Sequence, residues 1–222
     1  MKTQSLYYLL LLPVALHGTV TEWNGVLPDN ITYTDTNINI TGNTILGEGT
    51  TTIQAFNSDV TIYVSYNSKV YSNDNSQSTL ILEATEPYRI FVILKETLEF
   101  SGVNNQLYIP LIIEEHGTGS IIWIVQEGKE LIFGSGNNRG GTLLKIVYNN
   151  GQMPKHIFKP RLHHDQIKFE RHCKMGYKEI NASGPSITFY AVVDALNNGN
   201  DHSGHVQFSD GATIGYERVV IN

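Results

Sequence analysis

Residues 119–133 read Gly-Ser-Ile-Ile-Trp-Ile-Val-Gln-Glu-Gly-Lys-Glu-Leu-Ile-Phe. Two apolar runs, 121–125 and 131–133, flank a polar stretch that holds one glycine. The first run is apolar on both of the faces a strand would have. A five-residue run rich in branched side chains suits a buried strand, and it is too short for a helix. Working outward, the same cadence recurs at 36–40 (TNINI), 51–56 (TTIQAF), 60–66 (VTIYVSY), 79–83 (TLILE), 90–94 (IFVIL), 107–113 (LYIPLII) and 143–148. It resumes at 186–193, 204–208 and 215–221. The intervals are filled with Asn, Gly, Ser and Asp, which tolerate turn conformations. No helical periodicity of useful length interrupts the series.

The fold class is therefore all-β. Two architectures fit the spacing of strand onsets. One is a parallel β-solenoid, built from stacked coils of about 20–30 residues. The other is a β-sandwich or jelly roll, with turn signals every 8–12 residues. Strands apolar on both faces favour the solenoid, as do abundant Asn and Thr, which suit stacking of like side chains on successive coils. The stretch 119–133 also resembles the strand, short turn, strand cadence of β-helical surface proteins.

Composition agrees with a turn-rich β-protein. The 222 residues include 20 Gly, 20 Asn and only 16% charged residues. One cysteine, Cys173, excludes a disulfide framework and a Cys-rich zinc site. It is either buried and inert or exposed and able to link to a partner. The N-terminus carries Lys2, then the eleven-residue apolar run 6–16, then His17-Gly18. That pattern reads as a secretory signal peptide over 1–18, too short to span a bilayer. Residues 19–222 then form a single β-rich domain with no transmembrane segment. Secretion gives meaning to three glycosylation sequons, at Asn30, Asn39 and Asn181.

Charge is unevenly distributed. The chain carries a net −6, yet residues 155–178 hold seven Lys and Arg against two acidic residues, a local +5. This segment reads as a basic loop or cap at about 151–180. Clustered cations on an acidic chain attract polyanions. Within the segment, Arg171, His172 and Lys174 form a short heparin-binding-like pattern, with Arg161, Lys168 and Lys178 as further candidate glycan contacts. Sulfated glycosaminoglycans are the expected partner. Net acidity and secretion argue against nucleic acid.

No motif names a reaction. Glu114-Glu115-His116 is the one dense acidic spot in the central strands, but adjacent residues of a strand diverge. His163-His164-Asp165 lacks further ligands at a recognisable spacing, and His202 with His205 reads as a surface loop. No metal and no cofactor is expected. Paired carboxylates on a β-solenoid would mark a secreted carbohydrate-active enzyme, the alternative to a structural role.

The plan of the whole chain resembles the spore wall proteins of microsporidia. The features that carry the resemblance are the leader 1–18, the sequons at Asn30, Asn39 and Asn181, and the motif Arg171, His172 and Lys174. It implies a structural spore-coat component on the extracellular surface that binds sulfated glycans of a host cell and other wall components, or associates with itself. The motif departs from the pattern in relying on a histidine, and one cysteine gives little scope for wall cross-linking. The strand cadence also resembles the passenger segments of bacterial autotransporter adhesins, of which the chain would be a fragment.

Overall fold

The computed structural model describes residues 19–72, 76–102, 109–134, 141–149, 152–160, 166–169, 173–180, 191–193, 205–208 and 213–218. Within them lie nineteen strands and no helix. The first strands are β1 (Val20–Val26), β2 (Ile31–Thr34) and β3 (Asn37–Ile45). Five groups of three follow: β4 (Gly49–Ala55), β5 (Val60–Val64), β6 (Ser68–Tyr71); β7 (Ser78–Ala84), β8 (Arg89–Leu94), β9 (Leu98–Ser101); β10 (Leu111–Gly117), β11 (Ser120–Val125), β12 (Glu130–Gly134); β13 (Thr142–Asn149), β14 (Lys155–Pro160), β15 (Gln166–Phe169); and β16 (Lys174–Ile180), β17 (Ala191–Val193), β18 (His205–Phe208). β19 (Thr213–Arg218) is the last.

The named strands pair in parallel, and from β4 onward each pairs with the strand three places along. A seven-stranded sheet runs β19-β16-β13-β10-β7-β4-β2. A twelve-stranded sheet runs β17-β14-β11-β8-β5-β3-β6-β9-β12-β15-β18, with β1 on β3. The two arms of the larger sheet meet on β3, whose first half pairs β5 and whose end pairs β6. The sequence distance between partners widens along the chain: Ile31 meets Thr51, Thr50 meets Thr79, Leu111 meets Thr142, and Lys174 meets Thr213. The segment 151–180, read from sequence as a basic loop or cap, carries β14, β15 and β16, which continue the sheets.

Side chains alternate between the core and the outside, as the two-residue period of a strand requires. In β7, Ser78, Leu80, Leu82 and Ala84 are buried while Thr79, Ile81 and Glu83 are half-buried. Register then aligns like with like across the stack. Ile62, Val92, Trp123 and Phe158 occupy one inward row, and Val70, Phe100 and Phe133 another. Phe100 and Phe133 stack with ring centroids 5.8 Å apart, and Trp123 meets both edge-on.

Among the described residues, Asn37, Asn43, Asn67 and Asp59 act differently from the like-with-like ladders expected. At the corners they reach a backbone N–H on the next turn. Asn37 Oδ1 accepts from Thr61 N (2.7 Å), Asn43 Oδ1 from Lys69 N (3.0 Å), Asp59 Oδ1 from Arg89 N (2.8 Å) and Asn67 Oδ1 from Thr97 N (3.2 Å). A corner N–H that begins a strand lacks a ladder partner, and a short side-chain carbonyl supplies one. Asp35, at φ 50°, gathers the N–H groups of Phe56, Asn57 and Ser58 and the Asn57 amide. Burial acts to raise its carboxyl, but these four hydrogen bonds outweigh it and hold the group below the usual carboxylate range.

Candidate functional site

The outer face of β5, β8, β11 and β14 is unusual for a sheet surface. Ile90, Val92 and Leu94 of β8 point into the core, so Arg89, Phe91 and Ile93 point out, with Lys95 just past the strand end. In β11 and β14 the outward positions are Ser120, Ile122 and Ile124, then Lys155, Ile157 and Lys159. Register places Thr61, Phe91, Ile122 and Ile157 in one row and Tyr63, Ile93, Ile124 and Lys159 in the next. The result is an apolar strip bracketed by cations. Arg89 lies over the Phe91 ring at 5.3 Å and pairs with Asp59 at 3.0 Å, and Lys95 lies over the Tyr63 ring at 5.1 Å. These long stems cover apolar surface while their charged ends stay wet.

The outer face of the seven-stranded sheet carries a second juxtaposition. Thr34 donates to Gln54, and Gln54 donates to Glu83, each at 2.9 Å. Glu83 is in register with His116, whose Nε2 lies 3.0 Å from Glu114 Oε2. Glu114 is in turn in register with Lys145 on the following strand. Glu114 is nearly buried, while the His116 side chain keeps 24% of its exposure and so can meet solvent.

Glu115 points the other way, into the core. It is fully buried, with Trp123 Nε1 donating to Oε1 and His156 Nδ1 on Oε2, both at 2.7 Å. His156 is also fully buried, its ring 4.3 Å from that of Phe158. Its Nε2 has no partner among the described residues. A carboxylate there needs both donors, because an unpaired buried charge is costly.

The sequence-predicted glycan residues are dispersed. Lys168 lies on β15, in the larger sheet, with Nζ 2.6 Å from Glu130 Oε1. Lys174 and Lys178 lie on β16 of the smaller sheet. Arg161, Arg171 and His172 fall outside the described residues, as do His163, His164, Asp165, His202, Asn181 and the leader 1–18. His205 opens β18. Asn30 is exposed at φ 47°, its Oδ1 accepting from Thr50 N at 3.1 Å, and Asn39 is half-buried on β3. Cys173 is buried, and Thr142 N–H donates to its sulfur at 3.2 Å. Of the two readings left open by the sequence, Cys173 takes the buried one, which leaves no exposed thiol to link to a partner.

Sequence reasoning missed Arg89, Lys95, Lys155 and Lys159 as one set, and Glu83, Glu114, His116 and Lys145 as another. The signal existed only in the register, which joins residues about 30 apart. Among the described residues, no group of His, Cys, Asp and Glu could hold a metal ion, and no helix is long and apolar enough to cross a membrane. No family model, curated protein or solved structure matches the chain.

Proposed function

We propose that the chain is a parallel β-solenoid that serves as a secreted structural and adhesive surface protein, of spore-wall type, binding sulfated glycans of a host cell. The supporting observation is the stack itself. Parallel strands in register spread side chains over wide faces, and the basic segment enters that stack as β14, β15 and β16. Lys155 and Lys159 on β14 and Lys168 on β15 thereby face outward on the two arms of the larger sheet of an acidic protein, which suits a long polyanion better than a small ligand. Retention of the purified mature chain on a heparin column, falling as salt rises, tests the binding. Immuno-electron microscopy tests the location: protein found only in the medium, with no surface deposit, sinks the wall reading.

One observation favours a second reading, a carbohydrate-active enzyme. His116, oriented by Glu114 and in register with Glu83, has the makings of a general base beside a second carboxylate, with Lys145 in register with Glu114. Turnover of an acidic polysaccharide that is lost in His116→Ala would establish it. No turnover across a panel of such polymers would remove it.

A further inference from the structure

Resting on the adhesive reading above, we propose that the sulfated glycan binds on the outer face of β5, β8, β11 and β14 rather than through the Arg171 motif. Parallel sheets are ordinarily covered on both faces. Here the inner face packs the core, and among the described residues no strand packs on the outer one. Something of matching chemistry therefore suits it.

The chemistry is set by two features. Phe91, Ile93, Ile124, Ile157 and Tyr63 form a half-buried apolar strip around the nearly buried Ile122. Arg89 and Lys155 stand at one end of the strands, each in register with Ser120 from opposite sides. They are two strand spacings apart, about 10 Å. Lys95 and Lys159 stand toward the other end. Among the described residues, Asp59 on this face pairs with Arg89. Arg89 and Lys95 lie over aromatic rings, from which long flexible stems can swing to a stronger anion.

A sulfated sugar chain is complementary to this pattern. Each sugar ring offers an apolar C–H face for the strip, and its sulfates project from the ring edges toward the cations. A second copy docked by the same face would set cation against cation, which opposes that pairing. The two decisive cations, Arg89 and Lys95, lie more than 60 residues before the Arg171 motif.

The test uses heparin as the probe and the full mature chain, with elution salt and titration calorimetry as readouts. Expected are earlier elution and about tenfold weaker binding for Arg89→Ala/Lys95→Ala, the loss of two screened ionic contacts. Lys155→Ala/Lys159→Ala should behave alike, and Arg89→Lys/Lys95→Arg should retain binding. Arg171→Ala/Lys174→Ala/Lys178→Ala should elute near the parent. Parent-like binding by Arg89→Ala/Lys95→Ala, with binding lost in the Arg171 variant, overturns this site and leaves the adhesive reading standing. A parent that flows through overturns both. Heparin-independent dimers in sedimentation, abolished by a charge placed in the apolar strip (Ile124→Glu), would give the face to a second copy and overturn the proposal. Circular dichroism of each variant confirms folding.

Discussion

The Glu115 cluster allows a sharp test of how this core is held. Glu115→Ala removes the acceptor of two fully buried donors, Trp123 Nε1 and His156 Nδ1. Each stranded donor costs about 1–3 kcal/mol, partly offset because a buried carboxylate no longer needs compensation. Removing one partner of a buried pair typically costs 3–5 kcal/mol, so we expect a loss of about 4 kcal/mol. The replacement Glu115→Leu/Trp123→Phe/His156→Leu strands nothing and keeps roughly the same volume. It should match the parent or exceed it by about 1–4 kcal/mol, as apolar substitutes for buried ion pairs often do. Urea unfolding followed by fluorescence and by circular dichroism gives the comparison, with coincident transitions required before a single free energy is assigned. A single variant within about 1 kcal/mol of the parent, or a triple variant as unstable as the single, would refute the reasoning.

Three further outcomes follow from the geometry. Gly117, at φ +94°, has no room for a Cβ, which would meet the carbonyl of Ala84, so Gly117→Ala should cost at least about 1–3 kcal/mol in the same assay. Asp35 has a depressed folded-state carboxyl, so its contribution is present above the unfolded value of about 3.9 and is lost as pH falls through the folded one; Asp35→Asn should flatten acid destabilisation below about pH 4, read by thermal melts from pH 2 to 6. Asn30 is exposed, with its Oδ1 engaged by Thr50 N, so secretion from eukaryotic cells should add one endoglycosidase-sensitive mass increment that Asn30→Gln removes.

How much was legible in the sequence depended on apolar content as well as strand length: the seven-residue β1 and β16 carry too many polar side chains to show as strands. Long branched runs such as β8 and β11 announced themselves. The four-residue strands β6 and β9 did not, because Ser68–Tyr71 and Leu98–Ser101 are too short to display a period. The divergence of Glu114 and Glu115 followed from strand geometry, but their partners did not. His156 lies 41 residues from Glu115, and only the parallel register brings them together. Likewise His156 falls within the basic segment 155–178 in sequence, yet its ring is wholly inside the core. Local pattern shows which way a side chain faces. It does not show which turn will lie beside it.

The corner bonds of Asn37, Asn43, Asp59 and Asn67 each span a single turn. These polar bonds join each turn only to its neighbour, beside a hydrophobic core that runs through the stack. On the solenoid reading proposed above, tension applied at the two ends releases one turn at a time. Each turn of about 30 residues releases about 10 nm of extended chain. A protein stressed in this way lengthens stepwise and dissipates work at every step, so its resistance to tearing grows with the number of turns rather than with the strength of any one contact.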